Sequence, residues 1–332
     1  MSRTVHFEQW LAQQYAPRRF TFAPASEDAS FRRYLRVTPE SGPTAILMDA
    51  PPERENCRPY VEVARLFAAA GVHVPEVLAE DLDNGYLLLS DLGSETYLQA
   101  LKDRRRAPGL YDDATSALVR IQLASRAGVL PPYDRALLSR EMRLFPEWYV
   151  TRHLRETLNP AQNQALDQVF ERVLANNLAQ PCVYVHRDYH SRNLMVATPN
   201  PGILDFQDAV YGPITYDLVS LLKDAYVSWD EATILDWAIR YWEKARAVGL
   251  PVHPDFAAFH RDFEWMGVQR HIKVLGIFAR LFHRDGKNGY LKDMPLVLRY
   301  LRQACERYPE LHPLLRLLDQ LENRQPSAGY TF

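Results

Sequence analysis

The segment that decides the fold runs Val185-His186-Arg187-Asp188-Tyr189-His190-Ser191-Arg192-Asn193 and continues into the apolar run Leu194-Met195-Val196. Its polar positions form the pattern His-x-Asp, followed by Asn five residues after the aspartate. Twelve residues after Asn193, a second apolar run, Gly202-Ile203-Leu204, ends at Asp205. Both polar loops therefore adjoin short apolar runs that are consistent with buried strands.

These residue types at this spacing suit phosphoryl transfer, which needs positioning and charge neutralisation more than covalent chemistry. Asp188 is the candidate base for the proton of an acceptor hydroxyl. Asn193 and Asp205 supply oxygen ligands of the kind that Mg²⁺ prefers. Asp208 could bind a second metal ion or orient Asp205, and a simple turn residue is the alternative. The pattern is that of a kinase catalytic loop followed by a metal-binding aspartate, and two coincidental turns are the alternative interpretation.

Composition sets limits on the other classes of protein. The chain has 332 residues, a length typical of about two domains. Its formal net charge of −2 gives no overall field for binding nucleic acid. The three cysteines are far apart and lack CxxC spacing, which argues against a disulfide framework or a zinc site. The N-terminal residues lack a signal-peptide pattern, and no apolar run reaches the ~18 residues of a membrane span, so we expect a soluble cytoplasmic protein. We also expect it to be a monomer.

The secondary-structure pattern changes partway along the chain. Strand periodicity over residues 29–37 and 44–48, a helix over residues 59–70 and an Asn84-Gly85 hairpin signal predict a small sheet with one helix, preceded by a short helix that Thr4 caps. From about Ser94 the pattern is mainly helical, with helices expected over residues 94–102, 110–126, 139–157, 160–178, 215–226, 230–248, 254–283, 292–306 and 310–323. Short strands are expected around residues 182–185, 193–196 and 202–205.

These motifs resemble those of the aminoglycoside phosphotransferase/choline kinase-like family. The resemblance covers nearly the whole chain, from residues 28–37 through Leu87-Leu88-Leu89-Ser90-Asp91-Leu92-Gly93 to the two motifs around Asp188 and Asp205. It implies an α+β, protein-kinase-like two-lobed fold, with a small antiparallel-sheet N-lobe over residues 1–92 and a larger, mainly helical C-lobe over residues 93–332.

The resemblance also implies an activity. Within the family, the chain closely resembles kinases of bacterial peptidoglycan recycling that transfer phosphate from ATP, with Mg²⁺, to the anomeric hydroxyl of N-acetylmuramate and N-acetylglucosamine. In this comparison Asp188 corresponds to the base, and Asn193 and Asp205 to the Mg²⁺ ligands. The hinge that meets adenine corresponds to Ser90, Asp91 and Leu92, and the loop over the phosphates includes Ala29, Ser30 and Phe31.

The sequence departs from the kinase pattern at two places. The phosphate loop has no glycine, since none occurs before Gly42, and the strand at residues 44–48 lacks the expected lysine, since none occurs before Lys102. Arg32 or Arg33 is the best replacement for that charge. Because neighbouring residues of a strand point to opposite faces, only one of them can face the nucleotide. Two solvated strand arginines are the alternative.

Residues of the acceptor site are expected mainly in the helical half. Residues 261–307 contain ten Lys or Arg against five Asp or Glu, an excess of five positive charges that suits the carboxylate of N-acetylmuramate and argues against polycationic acceptors. The candidate substrate-binding residues share aromatic, amide or cationic side chains: Arg187, His190, Tyr226, Trp229, Trp265, Gln269 and Arg270. Basic helix surfaces and core aromatics are the alternative for each residue taken singly.

Two alternatives to the anomeric kinase stay open from the sequence. The chain could phosphorylate another sugar or a small amino-alcohol. The missing strand lysine also allows a nucleotide-binding pseudokinase, although Asp188, Asn193 and Asp205 are all present.

Overall fold

The computed structural model describes residues 3–26 and 31–322. The chain forms two compact units, each built from separate stretches: residues 1–121 with 192–209, and residues 122–191 with 210–332. The predicted lobes, residues 1–92 and 93–332, are each one continuous stretch of sequence, and that boundary stays a prediction. No helix among the described residues is both long and apolar enough to cross a membrane.

The first unit contains a five-stranded antiparallel sheet. In chain order its strands are β1 (Phe20–Ser26), β2 (Arg33–Pro39), β3 (Ala45–Asp49), β4 (Val77–Asp81) and β5 (Tyr86–Ser90). The order across the sheet is β1-β2-β3-β5-β4. The predicted hairpin is confirmed, because β4 and β5 pair antiparallel and Gly85 has a φ of +71°. A side chain at Gly85 would place its Cβ on the carbonyl of Ala50.

Strand β1 was not predicted, and its sequence explains why. Pro24 lacks the N–H that a central strand must donate, so a proline demotes an apolar run as a candidate strand. In the structure β1 lies at the edge of the sheet, where that donor is not needed, and its register with β2 shifts between Pro24 and Ser26.

Helix α1 (Arg3–Tyr15) covers one face of this sheet. The side chains that fill the space between helix and sheet are almost fully buried and apolar: Phe7, Leu11, Tyr15, Val37, Ala45, Leu47, Tyr86 and Leu88. The helix begins at Arg3, so Thr4 lies inside it and the predicted cap is wrong. The first unit also contains α2 (Arg58–Ala69) and α3 (Tyr97–Ala100), the latter shorter than the predicted helix.

Helix α4 (Ala107–Leu123) leads into the second unit, which is mainly helical. Most of α4 still belongs to the first unit, whose first stretch ends at Ile121. The α-helices of the second unit are α5 (Arg135–Leu144), α6 (Pro160–Leu178), α7 (Tyr216–Leu222), α8 (Glu231–Ala247), α9 (Phe256–Asp285), α10 (Met294–Arg307) and α11 (His312–Leu321). The prediction of one α-helix over residues 139–157 is wrong, because α5 is followed by a π-helical segment, Phe145–Leu154. Pro146 is the second residue of that segment and cannot donate the backbone hydrogen bond of a regular α-helix.

The predicted short strands are confirmed and lie beside the polar loops. In the second unit β6 (Cys182–Val185) pairs antiparallel with β9 (Val210–Pro213). In the first unit β7 (Leu194–Met195) pairs with β8 (Gly202–Ile203). Each pair therefore fixes one end of the segments that carry the candidate site residues.

Helix α9 is the central helix of the second unit, and Gly276 lets it approach α5. A Cβ at this position would lie 2.5 Å from the backbone carbonyl carbon of Leu144. We expect Gly276→Ala to lower the free energy of unfolding by about 1–3 kcal/mol, since overpacking a tight contact forces backbone shifts. Urea unfolding followed by circular dichroism measures the effect.

Gly267 on the same helix is the matched control. Its Cβ would lie no closer than 3.6 Å to a neighbouring atom, which is ordinary contact. Gly267→Ala should leave stability unchanged or raise it by up to about 1 kcal/mol, because alanine favours a helix over glycine. Equal destabilisation by both substitutions would show that close packing at Leu144 is not the reason for Gly276.

Candidate active site

Asp188 lies in the loop that follows β6 in the second unit. Its backbone N–H donates to Nδ1 of His186, 3.2 Å away, which folds the loop back on itself. Burial raises the pKa of the Asp188 carboxyl, but the positive charges of Lys273 and Arg270 lower it by more than burial raises it. The net effect is a pKa well below its ordinary value. Asp188 is therefore held ionised, the state in which a carboxylate can accept a proton.

The backbone before Asp188 is strained and braced. Arg187 has a φ of +77°, a conformation rare for a residue with a side chain. Asp217 of α7 accepts hydrogen bonds from the backbone N–H groups of His186 and Arg187, at 2.6 and 3.0 Å, and so braces the loop. Burial raises the pKa of Asp217 to about 7, although the two backbone bonds act against that rise.

A buried carboxylate, Glu141 of α5, gathers the cations around this loop. It is 6% exposed and lies 2.6 Å from Nη2 of Arg187 and 3.0 Å from Nζ of Lys273. Tyr133 donates its hydroxyl to the same carboxylate, and so does the amide of Gln269, at 3.3 Å. Burial raises the pKa of Glu141, but Lys273 and Arg187 lower it more, so the group stays charged and paired.

Arg270 of α9 holds the loop from the opposite side. Its Nη1 donates to the backbone carbonyl of Arg187 at 2.9 Å and lies 3.3 Å from the hydroxyl of Tyr216. Lys273, one turn further along α9, also donates to the Tyr216 hydroxyl, at 3.0 Å. The two cations that keep Asp188 ionised are thus fixed by the same helix and the same tyrosine.

The end of the loop that contains Asp188 is held by the segment after α7. Asp224 accepts hydrogen bonds from both the backbone N–H and the hydroxyl of Ser191. Tyr226 lies edge-on against His190, with ring centroids 5.4 Å apart. His190 and Tyr226, two of the predicted substrate-binding residues, therefore lie together beside the loop.

In the first unit, Asp205 and Asn193 lie side by side. Asp205 follows β8 and has a φ of +61°, again rare for a residue with a side chain. Its carboxylate accepts from the Asn193 amide at 3.3 Å and from the Gln207 amide at 2.8 Å. The backbone N–H of Leu204 donates to the carbonyl of Asn193, so the two segments are tied by their main chains as well.

Phe206 anchors this pair in the core of the first unit. It is completely buried, and its ring lies 4.8 Å from that of Tyr60 and 5.9 Å from that of Phe67, both on α2. Because the backbone of Asp205 is attached directly to this buried ring, the strained conformation of Asp205 is fixed by packing.

The oxygen atoms here fit a magnesium ion. Asn193 and Asp205 provide a neutral and a charged oxygen donor, and the buried Oε1 of Gln207 has no hydrogen-bond partner among the described residues. Magnesium commonly uses one or two protein ligands and completes its shell with water and phosphate oxygens. No group of three or more His, Cys, Asp or Glu that could hold a metal occurs in the described part of the chain. Asp208, the other predicted ligand, is exposed.

The structure separates the two arginines that the sequence left open. Arg32 forms an ion pair with Glu55, with Nη2 and Oε2 3.0 Å apart. Burial lowers the pKa of Arg32, but the charges of Tyr34, Glu55, Asp205 and Asp208 raise it above its ordinary value. Arg32 is therefore the arginine that interacts electrostatically with Asp205 and Asp208.

Arg33 points elsewhere. Its Nε donates to the fully buried carboxylate of Asp49 at 2.9 Å, and Arg3 of α1 binds the same carboxylate at 2.6 Å. These ion pairs connect α1 to the sheet, so the role of Arg33 is to stabilise the packing of the first unit.

The other predicted nucleotide-binding residues are only partly described. Ala29 and Ser30 lie outside the described residues. Phe31 is exposed, and its backbone N–H donates to Glu55 at 3.3 Å. In the predicted hinge, Asp91 binds Arg36 at 2.6 Å and Thr44 at 2.7 Å.

Ser90 and Leu92 flank Asp91. Ser90 bonds with Glu76 through both its backbone N–H and its hydroxyl, and Leu92 is 8% exposed. The contact of this hinge with adenine stays a prediction.

Several predicted acceptor residues have partners inside the second unit. Gln269 and Arg270 are buried in the network described above. Trp265 is 3% exposed and packs against Tyr308 with ring centroids 5.9 Å apart. Trp229 is half-buried and lies against Trp237. Direct contact of these residues with a substrate stays a prediction.

Sequence reasoning missed four charged residues of the site: Glu55, Glu141, Asp224 and Lys273. Lys273 was detectable, because it lies in a buried, largely apolar stretch of α9 beside the predicted Arg270. Glu141 and Glu55 carry no local signal, since their partners lie 46 and 23 residues away.

Known proteins resemble this chain in sequence and in fold. The phosphotransferase enzyme family matches residues 21–256. The N-acetylmuramate/N-acetylglucosamine kinase of Neisseria meningitidis is 49% identical over the full length of both chains. The enzyme of the same name from Pseudomonas putida is 52% identical over 90% of this chain and 87% of that protein.

Two solved structures share the fold at low identity. A choline/ethanolamine kinase family protein from Mesorhizobium loti has a TM-score of 0.63 at 15% identity, covering 96% of this chain and all of that one. The ADP-bound aminoglycoside phosphotransferase APH(2'')-Ib has a TM-score of 0.55 at 12% identity, covering 89% and 97% of the two chains. The predicted α+β, kinase-like two-lobed fold is thereby confirmed, and the chain belongs to the phosphotransferase enzyme family.

Proposed function

We propose that this protein is an ATP-dependent sugar kinase that phosphorylates the anomeric hydroxyl of N-acetylmuramate and N-acetylglucosamine. The observation that carries the proposal is the full-length identity of 49% to a kinase named for these two sugars. The ionised Asp188 and the Asn193–Asp205 oxygen pair are the groups that such a reaction requires.

Asp188 acts as the base in this proposal. Its ionised carboxylate accepts the proton of the acceptor hydroxyl as the hydroxyl oxygen attacks the terminal phosphorus of ATP, the bond from that phosphorus to the β–γ bridging oxygen breaks, and ADP leaves. Arg270 and Lys273 keep the carboxylate ionised between turnovers. A positioned base of this kind contributes about 10²–10⁴-fold to a rate.

Asn193 and Asp205 hold Mg²⁺ in this proposal, and Gln207 orients Asp205 through its 2.8 Å hydrogen bond. Magnesium held there would supply positive charge to neutralise the phosphate oxygens. Asp208 as a further ligand is the less supported part, because it is exposed.

Arg32 supplies the positive charge that kinases usually take from a strand lysine. Its ion pair with Glu55 orients the guanidinium, as a carboxylate orients the lysine in protein kinases. The residues near ATP would then be Arg32 and the loop that contains Ala29, Ser30 and Phe31, with adenine at Ser90, Asp91 and Leu92.

The activity is tested by incubating the protein with ATP, Mg²⁺ and either sugar and recording phosphorus NMR spectra. We expect a sugar 1-phosphate from each. The methyl glycoside of N-acetylglucosamine is the control, because its C1 oxygen is blocked and it should give no phosphorylated product. Transfer to the methyl glycoside would move the reaction to another hydroxyl, and no transfer to either free sugar would refute the proposal.

The arginine assignment is tested by two neighbouring substitutions. Arg32→Ala should weaken binding of Mg·ATP by about 10- to 100-fold, because a hydrogen bond to a charged group contributes about 1.5–3 kcal/mol. Arg32→Lys should recover part of that loss, since lysine restores the charge but not the planar fork.

Arg33→Ala is the matched control for the nucleotide affinity, because Arg33 pairs with Asp49 on the other face of the strand. Isothermal titration calorimetry with a non-hydrolysable ATP analogue measures each affinity. A larger loss of nucleotide affinity in Arg33→Ala than in Arg32→Ala would show that the phosphate contact belongs to Arg33 and not to Arg32.

A further inference from the structure

The second unit contains a cavity of about 330 Å³ bounded by α8, α9, α10 and residues 223–230. This volume is at the lower end of the range for small-molecule sites, about 300–1,000 Å³. Its walls combine an indole, a phenol ring and charged groups of both signs. An aromatic face beside polar side chains is a surface suited to a pyranose ring.

Most of the charges in this cavity are already neutralised. Glu264 is 2% exposed and lies 3.3 Å from Nζ of Lys223. Arg307 pairs with Glu264 and with Glu231 of α8. Burial raises the pKa of Glu264, but Lys223 and Arg307 lower it more, and the net effect is a lowered pKa. The three groups are therefore charged and paired with one another at the floor of the cavity.

Arg299 differs from the other cations of the cavity. It lies on α10, its side chain is exposed, and its guanidinium forms no hydrogen bond or ion pair with any residue that the structure describes. Trp229, on another wall, is held by an edge-to-face contact with Trp237 at 5.1 Å. The cavity thus offers one uncommitted positive charge and one braced aromatic face.

The chain connects this cavity to the catalytic loop. Asp224 and Tyr226 contact Ser191 and His190 of that loop. Three residues further on, Trp229 lines the cavity. A ligand in the cavity therefore contacts the same short segment that holds the end of the catalytic loop.

We propose that this cavity binds the carboxylate-bearing part of the acceptor, with Arg299 pairing with the lactyl carboxylate that N-acetylmuramate has and N-acetylglucosamine lacks. The inference rests on the proposed function for its choice of sugars. Trp229 packs on the apolar face of the ring in either sugar. Arg299 is then a specificity-determining residue that adds affinity for the acidic sugar alone.

The test is calorimetric binding of each sugar to the full chain without ATP. Arg299→Ala should weaken binding of N-acetylmuramate by about tenfold or more, as expected for a lost charge-assisted hydrogen bond, and change binding of N-acetylglucosamine by less than about twofold. Lys292→Ala is the matched control, since Lys292 is an exposed cation before α10 that does not line the cavity. It should change neither affinity.

Unchanged affinity of Arg299→Ala for N-acetylmuramate, or equal weakening for both sugars, would overturn the inference, as would absence of binding to the wild-type chain. Because no phosphoryl transfer is measured, the result is independent of the kinase assay. A chain that binds N-acetylmuramate through Arg299 but transfers no phosphate would refute the proposed function and leave this site standing.

Discussion

The attraction between Asp188 and the two cations of α9 is the interaction on which the rest of the second unit depends. A half-buried carboxylate would otherwise take up a proton and lose its use as a base. Arg270 and Lys273 prevent this, but they bring buried positive charge that must itself be compensated. Glu141 and the hydroxyl of Tyr216 provide that compensation.

The strained backbone follows from the same requirement. Arg187 adopts a positive φ, and its side chain pairs with Glu141. Its backbone N–H donates to the carboxylate of Asp217, and its carbonyl accepts a hydrogen bond from Arg270. Removing any one of these partners would leave a buried polar group unsatisfied, which costs about 1–3 kcal/mol. Asp205 in the first unit has a comparable conformation, fixed by the burial of Phe206.

The sequence was sufficient to predict the small sheet, the mainly helical remainder and the short strands beside the two polar loops, because these depend on local periodicity, while the kinase-like fold class came from the resemblance of the motifs to a known family. It did not predict β1, where Pro24 argued against a strand that an edge position tolerates. It could not choose between Arg32 and Arg33, because the choice depends on where Glu55 and Asp49 lie in space. Glu141 was beyond reach for the same reason.

Steady-state kinetics and nucleotide affinity of Asp188→Asn and Asp205→Asn, measured side by side, test the account most directly. A lost base should lower the turnover number of Asp188→Asn by about 10²–10⁴-fold with little change in Mg·ATP affinity. Asp205→Asn should weaken the magnesium-dependent part of nucleotide binding. Near-normal turnover in Asp188→Asn, or unchanged magnesium dependence in Asp205→Asn, would contradict the assignment of the base to one residue and the metal to the other.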